Sequence, residues 1–339
     1  MKSTHLGRQS FSFSDPPAIL SYASVAGKKE SEGPLSKTFD LTSNDTRFGE
    51  KSWEKAETHM QKIVLELALQ KAGLNYEDLD GAFMGDLLNQ CVGSSFTLRN
   101  LGIPAFGLYG ACSTMAESLM LGAMSVSGGF CRKVLALSSS HFAASERQYR
   151  FPLGYGGQRT PTAQWTVTGA GAAVLGSQGS GPWICSATAG TIADCGITDA
   201  ANMGAAMAPA AYETILAHFN DLGRDPDYYD LIVTGDLGSL GSEILRELFS
   251  RVGIHMGNRC EDCGVLIFDT EAQDMHCGGS GCGCSASVLC GYLLGRMKRK
   301  EIKNLLFCGT GALLSPLSSQ QGESIPAVCH AVEISAERI

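Results

Sequence analysis

A repeat constrains this chain more than any other feature. Apolar residues at Met60, Ile63, Val64, Leu67 and Ala68 mark one face of a helix that Gly73 stops. A strand, Gly81-Ala82-Phe83-Met84, then ends at Gly85-Asp86. The same order returns later: Tyr212, Ile215, Leu216 and Phe219 share a helix face, Gly223 stops it, and Leu231-Ile232-Val233-Thr234 ends at Gly235-Asp236. Without a gap, Gly73 matches Gly223, Asp80 matches Asp230, Gly85 matches Gly235 and Asp86 matches Asp236.

A second pairing supports the first. Cys112-Ser113 opens an apolar helix leading to Leu121-Gly122 and then to a strand, Val134 to Leu137. Cys284-Ser285 opens another, leading to Leu294-Gly295 and a strand, Leu305 to Cys308. Two halves that each alternate helix and strand predict a duplicated α/β protein, with helices layered on mainly parallel sheets. The boundary between the repeats falls near Gly179 to Pro182. Residues 1–37, polar and broken by Pro16-Pro17 and Gly33-Pro34, read as an extended entry segment; 38–180 and 181–339 are the halves.

Charge narrows the function. Lys and Arg number 26 against 34 Asp and Glu, a net charge of −8, which argues against a nucleic-acid partner, since such binding rests on cations that neutralise phosphates. The N-terminal MKSTHLGRQSFSFSDPP has no apolar core of signal-peptide length. No stretch reaches the roughly 18 apolar residues of a membrane span; the nearest, Ala111 to Cys131, is interrupted by Glu117. A soluble chain is expected. Its 13 cysteines, an odd number on a long chain, point to free thiols in a reducing compartment.

Cys112 stands in Gly110-Ala111-Cys112-Ser113-Thr114 at a predicted helix start, where unpaired N–H groups and the helix dipole favour a thiolate. It is a candidate nucleophile or the floor of a ligand pocket. The series Cys260-x2-Cys263 … Cys277-x4-Cys282-x-Cys284 has spacings that can make a zinc site. Against that, Cys263 leads into an apolar stretch, Gly264 to Phe268, that reads as a strand. The second group lies in a glycine run, Gly278 to Cys284, which suits a backbone cradle for an anion. The cradle is the preferred reading. Thr168-Gly169-Ala170-Gly171-Ala172 lacks dinucleotide-fingerprint spacing and reads as a close-packed strand. His141, His255 and His276 are pocket candidates. Arg147, Arg150 and Arg159 can clamp a carboxylate or simply line a solvated loop. The basic run Arg296 to Lys300 suits a helix C-terminus or, less simply, a membrane surface.

These segments resemble the thiolase superfamily. Ala111-Cys112-Ser113 is similar to the nucleophile segment of ketoacyl synthase III, and Thr168 to Ala172 to its Asp-Gly-Ala-Gly-Ala strand. The resemblance implies a thiolase-like fold, duplicated βαβαβαββ halves forming a five-layer αβαβα core, usually dimeric. Longer segments, Tyr109 to Thr114, Pro161 to Ala172, Asn202 to Pro209, Thr234 to Gly238 and Cys277 to Cys284, resemble the stage V sporulation protein AD family across residues 38–335. That resemblance implies binding of dipicolinic acid (pyridine-2,6-dicarboxylate) for its uptake into the developing spore. It also implies partnership with other stage V sporulation membrane proteins, a homodimer, and a peripheral place at the spore inner membrane.

The ligand-binding set expected on this footing is Cys112, His141, Arg150, Arg159, Asn202, Asp236, His276, Gly281 and Cys284. No resident cofactor is expected; if calcium accompanies the ligand, Asp236 is the residue that faces it. Condensing enzymes of the superfamily carry a histidine where this chain aligns Asp236, and an asparagine near Gly283. Both are missing at those places, although His276 or His255 can substitute. Binding is therefore preferred to the alternative, an acyltransferase or condensing enzyme using Cys112.

Overall fold

The computed structural model describes residues 4–149 and 157–338. A hairpin of β1 (Thr4–Leu6) and β2 (Ser10–Ser12) leads into β3 (Ala18–Ala26), a short helix α1 (Lys28–Ser31) and β4 (Leu41–Thr42). The first half continues with α2 (Trp53–Ala72), β5 (Gly81–Asp86), α3 (Val92–Leu98), β6 (Ala105–Gly107), α4 (Thr114–Ser127), β7 (Lys133–Ser140), α5 (Phe142–Tyr149), β8 (Trp165–Thr166) and β9 (Gly169–Gly176). The second runs through β10 (Trp183–Thr188), α6 (Met203–Leu222), β11 (Leu231–Thr234), α7 (Gly238–Arg251), β12 (Cys260–Asp262), α8 (Cys263–Ile267) and β13 (Gly279–Ser280). It ends with α9 (Cys282–Val288), α10 (Leu294–Lys298), β14 (Asn304–Ala312), α11 (Pro316–Gln320) and β15 (Ala327–Ser335).

The duplication is complete at the level of strand order. The first sheet is β6-β5-β7-β9-β3 and the second β12-β11-β14-β15-β10. In each, the first three strands are parallel and the last two antiparallel. One residue pair, Trp183 with Ala18, joins them. The first strand of the first half, β3, thus lies inside residues 1–37, which the sequence reading takes as an entry segment. Its alternation is masked because both faces are covered, so every second residue is not polar.

Matched residues do matched work. Gly73 and Gly223 end α2 and α6 at φ 66° and 63°, the left-handed region where glycine carries no Cβ penalty. Asp80 accepts the N–H groups of Arg132 and Lys133, as Asp230 accepts those of Lys303 and Asn304. Helix starts follow their caps: Ser52 accepts from Lys55 N–H and Asn202 from Ala205 N–H. Gly264 to Ile267 is helix rather than the expected strand, because Asp262 accepts the N–H of Val265 and caps α8.

Three apolar clusters define five layers. Met60, Val64 and Leu65 of α2 pack on Met84 and Leu135 outside the first sheet. Met207, Ala211 and Ile215 of α6 pack on Ile232 and Leu306 outside the second. Met115 and Leu119 of α4, with Ala286 of α9 and Leu289 just beyond it, meet Val134 and Phe307 between the sheets. All thirteen cysteines are free thiols. Among the described residues, no helix is long and apolar enough to cross a membrane.

Candidate functional site

The central layer delivers both halves of the site. After β6 the chain passes Gly110 and turns through Ala111, at φ 50°, so that Cys112 sits in the turn that opens α4. From the second half, β13 brings Ser280 and Gly281 to the start of α9. The Cys112 thiol, 5% exposed, lies 3.8 Å from Ser280 Oγ.

Between these turns stands Asp236, fully buried at the end of the β11 segment. One of its oxygens accepts Ser280 Oγ–H at 2.8 Å and Gly281 N–H at 3.0 Å. The other accepts Thr310 Oγ–H at 2.8 Å from β14. Burial raises its pKa, although a hydrogen bond from the Cys112 thiol and the donors just named pull it back. Burial and then the neighbouring Asp236 charge push the Cys112 thiol well above its ordinary range. The thiolate expected at a helix start is therefore overridden. A helix end contributes about 0.3–1 kcal/mol, less than it costs to ionise a fully buried thiol beside a carboxylate.

The expected anion cradle is also occupied from within. Gly281 N–H goes to Asp236, Gly283 N–H to Ser140 Oγ at 3.1 Å, and Cys284 N–H to the Gly281 carbonyl at 2.9 Å. Asp236 thus has both oxygens engaged by donors of the chain itself.

Above Cys112 opens a cavity of about 400 Å³. Its walls are mainly apolar, from Leu87, Ala163, Ala201, Met203, Leu314 and Pro316. Its polar groups include Ser280, Thr166, Gln164 and Tyr149. Thr166 Oγ–H donates to Glu146, a buried carboxylate on α5 that lines the cavity, and Asp199 adds a second carboxylate. Tyr149 Oη–H donates to the Leu87 carbonyl at 3.2 Å. No arginine or lysine lines the cavity among the described residues.

Of the predicted set, Cys112 lines this cavity, and Asp236 and Gly281 form its floor support. Asn202 caps α6 between two lining residues, Ala201 and Met203. His141 bonds the Thr46 carbonyl through Nε2 at 2.8 Å, and burial lowers its pKa. His276 bonds the Thr160 carbonyl at 2.5 Å and meets Asp274 at 3.2 Å. Arg159 reaches Asp274 and lies 5.0 Å over the Trp165 ring. Cys284 is fully buried, its thiol 3.8 Å from the Gly235 carbonyl. None of these last four lines the cavity. Arg150 lies outside the described residues. Arg147 pairs with Glu54 and covers Trp53. The cysteine series does not gather: among the described residues no three of His, Cys, Asp and Glu are placed to hold a metal ion.

Ser280, Gln164 and Thr166 stand within segments the sequence singled out, without being named individually. Glu146, Tyr149 and Thr310 carried no signal, since their meeting depends on the packing of α5 and β14.

A family model described as stage V sporulation protein AD matches residues 7–335. The stage V sporulation protein AD of Bacillus subtilis (strain 168) is 44% identical over 326 residues, covering 96% of each chain. Among solved structures, 3-oxoacyl-[acyl-carrier-protein] synthase III from Aquifex aeolicus aligns with a TM-score of 0.59 at 14% identity, over 94% of this chain and 99% of that one. Cerulenin-bound OleA of Xanthomonas campestris aligns with the same TM-score and identity over 97% of both. At such identities the likeness shows a thiolase-like fold and nothing of the chemistry.

Proposed function

Because the chain belongs to the stage V sporulation protein AD family, we propose that it serves sporulation as a receptor for dipicolinic acid, taking part in uptake of this ligand into the developing spore, and not as a condensing enzyme. The observation that carries the preference for binding is Asp236. A nucleophilic thiol needs a base and an empty donor pair for the developing oxyanion. Here the thiol is held neutral and the donors at the α9 start already hold a carboxylate.

The cavity's size suits a planar ring, and its polar groups offer an orientation. Its charges add a condition. With Asp199 lining it, a free dianion meets a carboxylate and no described cation on the cavity wall. Calcium, travelling with the dicarboxylate, removes that conflict. Calorimetric titration with dipicolinate, with and without calcium, tests the reading. Saturation near one ligand per chain is expected, tighter with calcium; no heat in either titration removes the proposal.

The apolar walls favour one alternative, an acyl group carried on Cys112. Incubation with acyl-CoA and intact-mass measurement separates the two, since a receptor gains no acyl mass.

For the homodimer, the surface that supports the proposal is the outer edge of the first sheet. All three residues of β6 are exposed there, Phe106 at 48%, with Phe96 of α3 at 50%. An uncovered edge strand flanked by aromatic rings is otherwise an aggregation hazard. Stage V membrane proteins at the spore inner membrane are the proposed setting.

A further inference from the structure

The chain's net charge is −8, yet one surface away from the cavity has the opposite sign. It is built around Tyr22 and Tyr292, which Lys71 of α2 and the basic end of α10 approach. Lys71 of α2 donates to the Tyr22 carbonyl at 2.9 Å and lies 5.6 Å over the Tyr22 ring. The Arg299 charge also acts on Tyr22 and on Tyr292, and Arg296 lies 5.3 Å over the Tyr292 ring. Lys298, Lys300 and Lys303 follow within a few residues of Arg296 and Arg299 along the chain, all exposed.

The acids in this cluster are already committed. Asp230 accepts the backbone N–H groups of Lys303 and Asn304. Asp40 pairs with Lys71 at 2.6 Å. Glu301 pairs with Arg296 at 3.5 Å and Arg299 at 2.5 Å. Lys298, Lys300 and Lys303 have no carboxylate partner among the described residues. The surface therefore presents more cations than the local fold uses.

The repeat adds an independent observation. After α4, Phe130 N–H bonds the Ser125 carbonyl, with Gly129 in the left-handed region at φ 76°. After α10, Glu301 N–H bonds the Arg296 carbonyl in the same way, and Lys300 takes the glycine's place at φ 62°. A lysine at this position is strained where glycine is not. The local turn gains nothing from its side chain, which is spent outward.

We propose that this face, Lys298, Lys300 and Lys303 with the Tyr22–Tyr292 surround, docks on an anionic lipid surface, an inference that rests on the membrane setting proposed above. Clustered cations gain from the negative potential of such a leaflet, and partly exposed tyrosines suit the headgroup level. None of the residues of this cluster lines the cavity.

The test is co-sedimentation of the full chain with vesicles of equal parts phosphatidylglycerol and phosphatidylcholine, and with phosphatidylcholine alone. Sedimentation with the anionic vesicles only, lost at high salt, is expected. Each lysine should contribute about fivefold to the partition, so Lys298→Glu, Lys300→Glu and Lys303→Glu combined should abolish it. Lys300→Gly should weaken partition about fivefold while leaving the melting temperature equal or higher, a split that a purely structural lysine would not give. No sedimentation with anionic vesicles overturns the proposal, as does sedimentation indifferent to the combined variant. Capture by polyglutamate without vesicle binding overturns it in favour of an acidic protein partner.

Discussion

The carboxylate of Asp236 accepts the N–H of Gly281 at 3.0 Å, so the chain supplies its own anion to the helix start beside Cys112. Removing that charge should release the thiol. Asp236→Asn keeps one acceptor oxygen but removes the like charge that helps hold Cys112 protonated. Alkylation of Cys112 by iodoacetamide, followed on its own peptide by mass spectrometry, should be slow in the parent and at least several-fold faster in the variant. The same change leaves buried donors short of a partner and should lower stability by about 1–3 kcal/mol. Rapid labelling of Cys112 in the parent at neutral pH would contradict the neutral-thiol picture.

The position of Cys112 on the cavity floor makes a size test more informative than a chemical one. Cys112→Trp fills the space above the turn and should abolish ligand binding in the calorimeter. Cys112→Ser removes the thiol but retains a small polar group beside Ser280, and should keep affinity within a few-fold. A serine variant without measurable affinity would favour chemistry at the thiol.

Phe106 stacks on Phe83 at 4.6 Å between centroids while leaving nearly half its own surface uncovered at the β6 edge. If that edge joins a second copy, Phe106→Arg places two like charges across the twofold contact. Sedimentation velocity should then show a monomer where the parent is a dimer. A parent that is monomeric at all concentrations would remove the dimer proposal.

The repeat was legible because it is written in backbone punctuation. Gly73 and Gly223 are needed by helix ends, Asp80 and Asp230 by strand starts, and such needs recur wherever the unit recurs. Cys112 and the glycine run before Cys284 were visible for the same reason, as turns that open helices. The matched pair Asp86 and Asp236 shows where this reasoning stops. Asp86 accepts the N–H groups of Leu88 and, from α3, of Ser94 within its own half, but Asp236 turns inward to Ser280, Gly281 and Thr310. Identical letters at matched positions took different partners because the halves face one another across the central layer. The arginines failed for a related reason: Arg147 and Arg159 found nearer partners, Glu54 with Trp53, and Asp274 with Trp165, than a ligand in the cavity.

Glu30 gives the sharpest prediction about pH. It lies in α1, 1% exposed, with Oε1 accepting Thr168 N–H at 3.0 Å and Oε2 without a partner. Burial raises its pKa from the ordinary 4.5 to about 7. A carboxyl whose folded value exceeds its unfolded one contributes stability that is fully present below about pH 4.5 and is lost as pH rises through about 7. The displacement corresponds to roughly 3 kcal/mol at about 1.36 kcal/mol per pH unit. Glu30→Gln keeps the acceptor for Thr168 and cannot ionise, so it removes this loss. Urea unfolding between pH 4.5 and pH 8 should show a smaller decline in the variant than in the parent, with the difference developing between pH 4.5 and 7. At pH 8 the variant should be the more stable chain, by less than the full amount because the new amide N–H₂ lacks an acceptor where Oε2 stood. Parallel curves for the two chains would mean that Glu30 ionises freely in the folded state and that its burial is relieved by water.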